Sequence, residues 1–135
     1  MEKSKFKGYY ASQKIIEGEV VVVNQPIDLV SLDPMTGSFR SGHEYEGQSI
    51  KDKILVTSCL CGVTVAEFIP FFLNLTGNKP KAILTTTTHA YTPVMSGCVV
   101  SEIPLIYCVD KKLLERMKTG DTVVVDTEKE EVTLR

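Results

Sequence analysis

From Lys53 to Val109 the chain alternates short apolar, β-branched runs with segments of helical length, and this alternation restricts the fold more than any other feature. Strands are read at Lys53–Ser58, Ala82–Thr87 and Leu105–Val109, with helices at about Val63–Asn74 and Pro93–Ser101 between them. Consecutive strands joined through helices cross over right-handed and lie parallel. The flanks differ. A strand at Gly18–Asn24 ends at Gln25-Pro26, and the helix Lys111–Lys118, stopped by Thr119-Gly120, leads into strands Thr122–Thr127 and Glu131–Leu134. With no helices between them, these flanking strands are expected to pair antiparallel, which predicts one mixed α/β domain over residues 1–135.

Local chemistry sharpens the outline. Asp33-Pro-Met-Thr-Gly37 has turn composition, with Pro34 fixing φ and Gly37 supplying a positive φ. Phe39–Gln48 is polar, carries two glycines and reads as a long surface connection. Pro70 removes one N–H from the first helix and predicts a kink or a late start there. Glu128-Lys-Glu-Glu131 reads as a solvated hairpin turn.

At 135 residues and 43% apolar content the chain can bury a core of ordinary size. Its net charge of −2 and pI near 5.7 leave no basic footprint for nucleic acid. No run is long and apolar enough to span a membrane, and Met1-Glu-Lys-Ser-Lys-Phe-Lys-Gly8 lacks the apolar core of a signal peptide, so a cytoplasmic location is expected. Four cysteines, two of them separated by one residue, do not form a secreted disulfide pattern and are read as reduced thiols.

The segment Lys53-Ile-Leu-Val-Thr-Ser-Cys-Leu-Cys-Gly-Val-Thr-Val-Ala-Glu67 carries the main functional candidate. A strand running through a small-residue loop into a helix points unpaired N–H groups and the positive helix end at one spot, where a carboxylate or phosphate can bind. Gly62 permits close backbone approach and Thr64 adds a hydroxyl. The plain alternative is an ordinary strand-to-helix turn with Thr64 as its N-cap. No Lys, Arg or His lies between Cys59 and Glu67. Cys59-x-Cys61 matches no common metal spacing, although a thiolate beside a helix N-terminus would have a depressed pKa. Cys98 and Cys108 lie on apolar segments and are read as small hydrophobes. His43 and His89 fall in loops, each without a visible partner for acid–base work. The hydroxyls of Thr85-Thr-Thr-Thr88 are read as donors to a partner surface.

With these pieces placed, the chain resembles the small, swivelling-domain subunit of the aconitase X family. The matching stretches are Gly18-Glu-Val-Val-Val22, Leu32-Asp-Pro-Met-Thr-Gly37, His43 with Gly47-Gln-Ser-Ile50, Lys53-Ile-Leu-Val56, Lys81-Ala-Ile83, Glu102-Ile-Pro-Leu105 and Lys118-Thr-Gly-Asp-Thr-Val-Val-Val125. The resemblance implies a swivelling β/β/α domain, with a mixed or barrel-like sheet and about three helices. It also implies an aconitase X-like large subunit as partner, with an iron–sulfur cluster on that subunit and none on this chain. Family members are hydro-lyases acting on small anionic hydroxy acids, among them mevalonate 5-phosphate and cis-3-hydroxyproline.

Family members close over the cluster with a Gly-Ser-Ser/Thr loop. Its glycine matches Gly62, its serine falls on Val63, and only Thr64 keeps a hydroxyl. A second glycine-rich family stretch is reduced here to Asp28-Leu-Val-Ser-Leu32. The resemblance therefore implies a substrate-binding loop of Gly62, Val63 and Thr64, with Cys59, Cys61, Asp33 and His43 as weaker site candidates. Two other functions fit the same residues: a binding or regulatory module that keeps the fold and partner surface without the chemistry, and an independent enzyme using the Cys59 and Cys61 thiols.

Overall fold

Four strands carry apolar side chains on both faces, so they can lie only in the middle of a sheet covered on both sides. The computed structural model describes residues 2–12, 14–61, 68–88 and 92–135. The four strands are β3 (Ile15–Val23), β7 (Ile54–Thr57), β9 (Ala82–Leu84) and β10 (Leu105–Tyr107). Val21, Val23, Leu55, Ile83 and Leu105 enter one apolar layer, while Val20, Ile54, Val56, Ala82, Leu84 and Ile106 enter the other. Helices α1 (Phe68–Thr76) and α2 (Thr92–Val100) close the first layer with Ile69, Leu73, Val94 and Cys98. Helix α3 (Lys111–Arg116), capped by Asp110 Oδ1 accepting from Lys112 N at 2.9 Å, closes the second with Leu113 and Leu114.

β7, β9 and β10 run parallel, as the alternation predicts. On the flank, β11 (Thr122–Asp126) pairs antiparallel with both β3 and β12 (Glu131–Leu134). β3 departs from the expectation on its other side, where it runs parallel to β7 with Val20 opposite Ile54. The crossover that allows this contains no α-helix. It winds through β4 (Ile27–Asp28), a single 3-10 turn at Leu29–Ser31, β5 (Leu32–Asp33) and β6 (Ser38–Phe39), and buries Ile27, Leu29, Leu32, Phe39 and Ile50. Those side chains let an irregular connection fill the place of a crossover helix. The Phe39–Gln48 segment is therefore not wholly a surface connection. It closes on itself through Phe39 N donating to Gln48 O and Gly47 N donating to Phe39 O, both at 3.1 Å. Phe39 is buried beneath the His43 ring, with centroids 4.6 Å apart.

Two strands were absent from the sequence expectation. β1 (Glu2–Lys5) pairs with β12, and β2 (Lys7–Tyr9) pairs with β10. These are the opposite ends of an eight-stranded order, β1-β12-β11-β3-β7-β9-β10-β2. Only Phe6 separates the two, so one short segment bridges both edges and brings the mixed sheet close to a barrel. Phe6 is buried in the second apolar layer, and its N–H donates to Glu130 O at 3.1 Å. Three helices among the described residues complete the swivelling β/β/α arrangement.

The turn at Asp33–Gly37 forms as predicted: Gly37 N donates to Asp33 O at 2.8 Å and Gly37 has φ +75°. A Cβ there would lie 2.9 Å from Asn78 O, a backbone atom with nowhere to move. Gly37→Ala is expected to cost about 2–3 kcal/mol, from left-handed strain plus the clash. Urea unfolding measures it, and an unchanged midpoint would refute the strain. The expected helix start at Val63 lies outside the described residues, and Pro70 sits buried in the first turn of Phe68–Thr76. Among the described residues no helix is long and apolar enough to cross a membrane.

Candidate functional site

The carboxyl ends of parallel strands are where the chain leaves the sheet and backbone groups lose their ladder partners, which makes them the usual ligand-binding edge of α/β sheets. Here hydroxyl groups tie three such ends together. Thr57 Oγ1, at the end of β7, donates to Gln25 O beyond β3 at 2.8 Å. Thr86 Oγ1, beyond β9, donates to Ser58 O at 3.0 Å. Ile27 N donates to Cys59 O at 3.0 Å, and this starts the parallel pairing of β4 with β8 (Leu60–Cys61). The Tyr45 hydroxyl accepts from Asn24 N at 3.1 Å and so anchors the His43 loop to the same rim.

The Thr85–Thr88 hydroxyls are thus engaged within the chain where the structure specifies them. Thr85 is buried and its Oγ1 lies 3.1 Å from Thr87 Oγ1, while Thr86 holds Ser58. Thr86 commits its one proton to Ser58 O, so it can hydrogen-bond to a partner surface, as the sequence suggested, only as an acceptor. The role of these hydroxyls is to fix the rim.

A cleft of about 230 Å³ opens at this rim, lined by Asn24, Thr57, Ser58 and Thr86 and walled by Lys111 and Glu115 of α3. Lys111 Nζ stands 3.9 Å from Glu115 Oε1, and both side chains are exposed, so the pair holds weakly and the ammonium is free to turn. Val22, Val23, Val56 and Leu114 make most of the remaining lining apolar, and the one cation is matched by the Glu115 carboxylate, so this cleft carries no net charge of its own. Ser58 opens the loop that the sequence singled out, whereas sequence reasoning passed over Asn24; the available signal was a polar residue directly after the β-branched run Val20–Val23.

Gly62, Val63 and Thr64, the leading candidates, and His89 lie outside the described residues. The structure does place the residues leading to the loop. Cys61 is exposed, with Sγ 3.4 Å from Ile27 O. Cys59 is half-buried, and burial followed by the neighbouring Cys61 raises its pKa, opposite to the shift an activated thiol needs. Cys98 is buried as expected of a small hydrophobe. Asp33 uses Oδ1 to accept from Met35 N at 2.9 Å, in a turn bound to the end of α1 through Thr76 Oγ1 donating to Pro34 O at 2.7 Å. His43 uses Nδ1 to accept from Tyr45 N at 3.0 Å, which leaves Nε2 as its protonated nitrogen. Asp33 therefore stands at the Thr76 end of α1, whereas Cys59 and Cys61 stand at the strand rim.

The donor set also tests this chain as a metal holder. Among the described residues no three His, Cys, Asp or Glu side chains group where they would hold a metal ion.

Similarity to known proteins extends along nearly the whole chain. A family model described as the aconitase X swivel domain matches residues 5–134. The phosphomevalonate dehydratase small subunit of Methanosarcina mazei is 38% identical over 124 residues, covering 90% of this chain and 85% of that one. Its counterpart from Pyrococcus horikoshii is 35% identical over 130 residues, covering 95% and 93%. The crystal structure of Thermococcus kodakaraensis aconitase X in its holo-form aligns with a TM-score of 0.85 at 34% identity, over 100% of this chain and 99% of that chain. The family match begins at Lys5, the last residue of β1, and takes in Phe6, β2, the laced rim and the irregular crossover, and the chain belongs to the aconitase X swivel domain family.

Proposed function

We propose that this chain is the small subunit of a phosphomevalonate dehydratase, a hydro-lyase that removes water from mevalonate 5-phosphate. The observation that carries this is the full-length similarity to small subunits of that name, at 38% and 35% identity. Residues 1–135 act as one swivelling domain, in the cytoplasm, against a large subunit that holds the iron–sulfur cluster. This chain's contribution is to bind, orient and exclude water. Backbone N–H groups at Gly62 and Val63, with the Thr64 hydroxyl, hold the anionic end of the substrate, and closure of the domain shuts the cleft. The Val63 side chain can neither donate a hydrogen bond nor exchange a proton, so proton transfer falls to the partner.

The test is co-expression with the aconitase X-type large subunit of the same organism, followed by dehydration assays on mevalonate 5-phosphate and on cis-3-hydroxyproline. Turnover of the phosphorylated substrate that vanishes without this chain is the expected result. A stable complex whose activity is the same without this chain would instead mark a binding or regulatory module, the reading that Val63 favours. Within the active complex, Thr64→Val is expected to lower kcat/KM by about 10–100-fold, the worth of one hydrogen bond to a charged group. An unchanged kcat/KM removes Thr64 from the site.

A further inference from the structure

A helix lying on a sheet normally shows one apolar stripe, but α1 has two. Ile69, Pro70 and Leu73 are buried against the sheet, while Phe68, Phe71, Phe72 and Leu75 recur at i, i+3, i+4 and i+7 with exposures of 50%, 41%, 45% and 64%. Beside them α2 presents Val100, 72% exposed, and Phe68, Phe71 and Val100 together line a groove of about 230 Å³ with almost no polar surface. Neither α1 (FIPFFLNLT) nor α2 (TPVMSGCVV) contains a charged residue. On the other side of the sheet, α3 (KKLLER) shows water Lys111, Lys112, Glu115 and Arg116. One side of the domain is therefore dressed for solvent and the other is not.

We infer that the α1–α2 face is the surface on which the large subunit docks. The inference rests on the small-subunit reading and adds the place of contact. Taking about 150–250 Å² for a large aromatic side chain, the exposed stripe offers on the order of 500 Å². That is more than half of the roughly 800 Å² that each partner gives to a stable interface, and too large a continuous apolar area to be a scatter of surface residues. Six residues separate Cys61, at the rim, from Phe68, at the head of the stripe. The stripe thus follows closely in sequence on the Gly62–Thr64 segment that the proposed reaction needs.

The test measures affinity for the co-purified large subunit by titration calorimetry. Phe71→Glu with Leu75→Glu, and separately Val100→Glu, are expected to weaken binding about 100-fold or more, as charges placed in an interface core do. Both alter exposed side chains, and an unchanged thermal midpoint of the isolated subunit verifies that it folds. Ile15→Glu, at an exposed apolar position on β3, is expected to bind as the wild type does. Full affinity in both stripe variants overturns the docking face while leaving the small-subunit reading intact. Failure of the wild-type chain to bind overturns both. An isolated wild-type dimer that Phe71→Glu with Leu75→Glu splits, with large-subunit affinity unchanged, would assign the face to a second copy and overturn the proposal.

Discussion

Phe6→Ala is expected to lower stability by about 3–5 kcal/mol, and deletion of residues 1–9 to abolish cooperative unfolding. Phe6 is 4% exposed and packs in the second apolar layer, so truncation loses its transfer energy and leaves a cavity. Its position multiplies the effect. The residues before it form the four-residue ladder from Glu2↔Leu134 to Lys5↔Glu131, and those after it form the ladder from Leu105↔Tyr9 to Tyr107↔Lys7. Disorder at Phe6 therefore frees two sheet edges at once. The ion pairs along β1 are not the cause: Lys3 and Lys5 meet Glu131 at 3.3 and 3.7 Å, and Arg116 meets Glu2, all with exposed cations. Lys3→Ala and Lys5→Ala are expected to change stability by no more than about 0.5 kcal/mol. Urea unfolding followed by circular dichroism decides the matter, and a loss below about 1 kcal/mol for Phe6→Ala would show that the segment is not a closure element.

The second large effect is alkaline. Burial pushes the Cys98 thiol up to about 12 from its ordinary 9.0. A folded-state pKa above the unfolded one means that the native protein holds the proton more tightly. The stabilisation is complete below about 9, the unfolded value, and is lost as pH rises through the folded value. Across that window this one group makes stability fall by up to about 1.4 kcal/mol per pH unit. Cys98→Ala is expected to remove that component of the slope, read as the difference between the two proteins in urea unfolding at about pH 8 and about pH 10.5. Equal slopes would show that Cys98 is not held neutral. The same burial predicts that a thiol reagent at neutral pH modifies exposed Cys61 rapidly and Cys98 only through opening of the fold, at least about 10³-fold more slowly. Slow, unselective labelling of Cys59 and Cys61 would dispose of the thiol-enzyme alternative, which the raised Cys59 pKa already disfavours.

The parallel core was legible because its strands are buried on both faces, and continuous runs such as Ile54–Val56 and Ala82–Leu84 announce that environment without tertiary information. The turn at Asp33–Gly37 was legible for a local reason, since Pro and Gly fix dihedrals by themselves. β1 was not: Glu2-Lys-Ser-Lys5 has no strand propensity, and only pairing with β12 makes it extended. Nor was the parallel pairing of β3 with β7, because the crossover between them is built from separately buried side chains rather than from a periodic helix. At the site, the loop could be named from residue types, but the lacing of the rim by Thr57 and Thr86 joins residues 32 and 28 positions apart. The second stripe on α1 was present in the spacing Phe68, Phe71, Phe72, Leu75. It was hidden by the first, because an apolar helix reads as buried until the side facing the sheet is known.

The joining of β1 to β2 through Phe6 bears on how the protein is made. Glu2–Lys5 leaves the ribosome well before its neighbour in the sheet, Glu131–Leu134. The sheet cannot come near to closing until both segments are out, and the first waits unpaired for the second. Contacts of such long sequence separation form slowly. A leading run of Glu and Lys, rather than of valines, keeps the waiting segment from sticking to other chains.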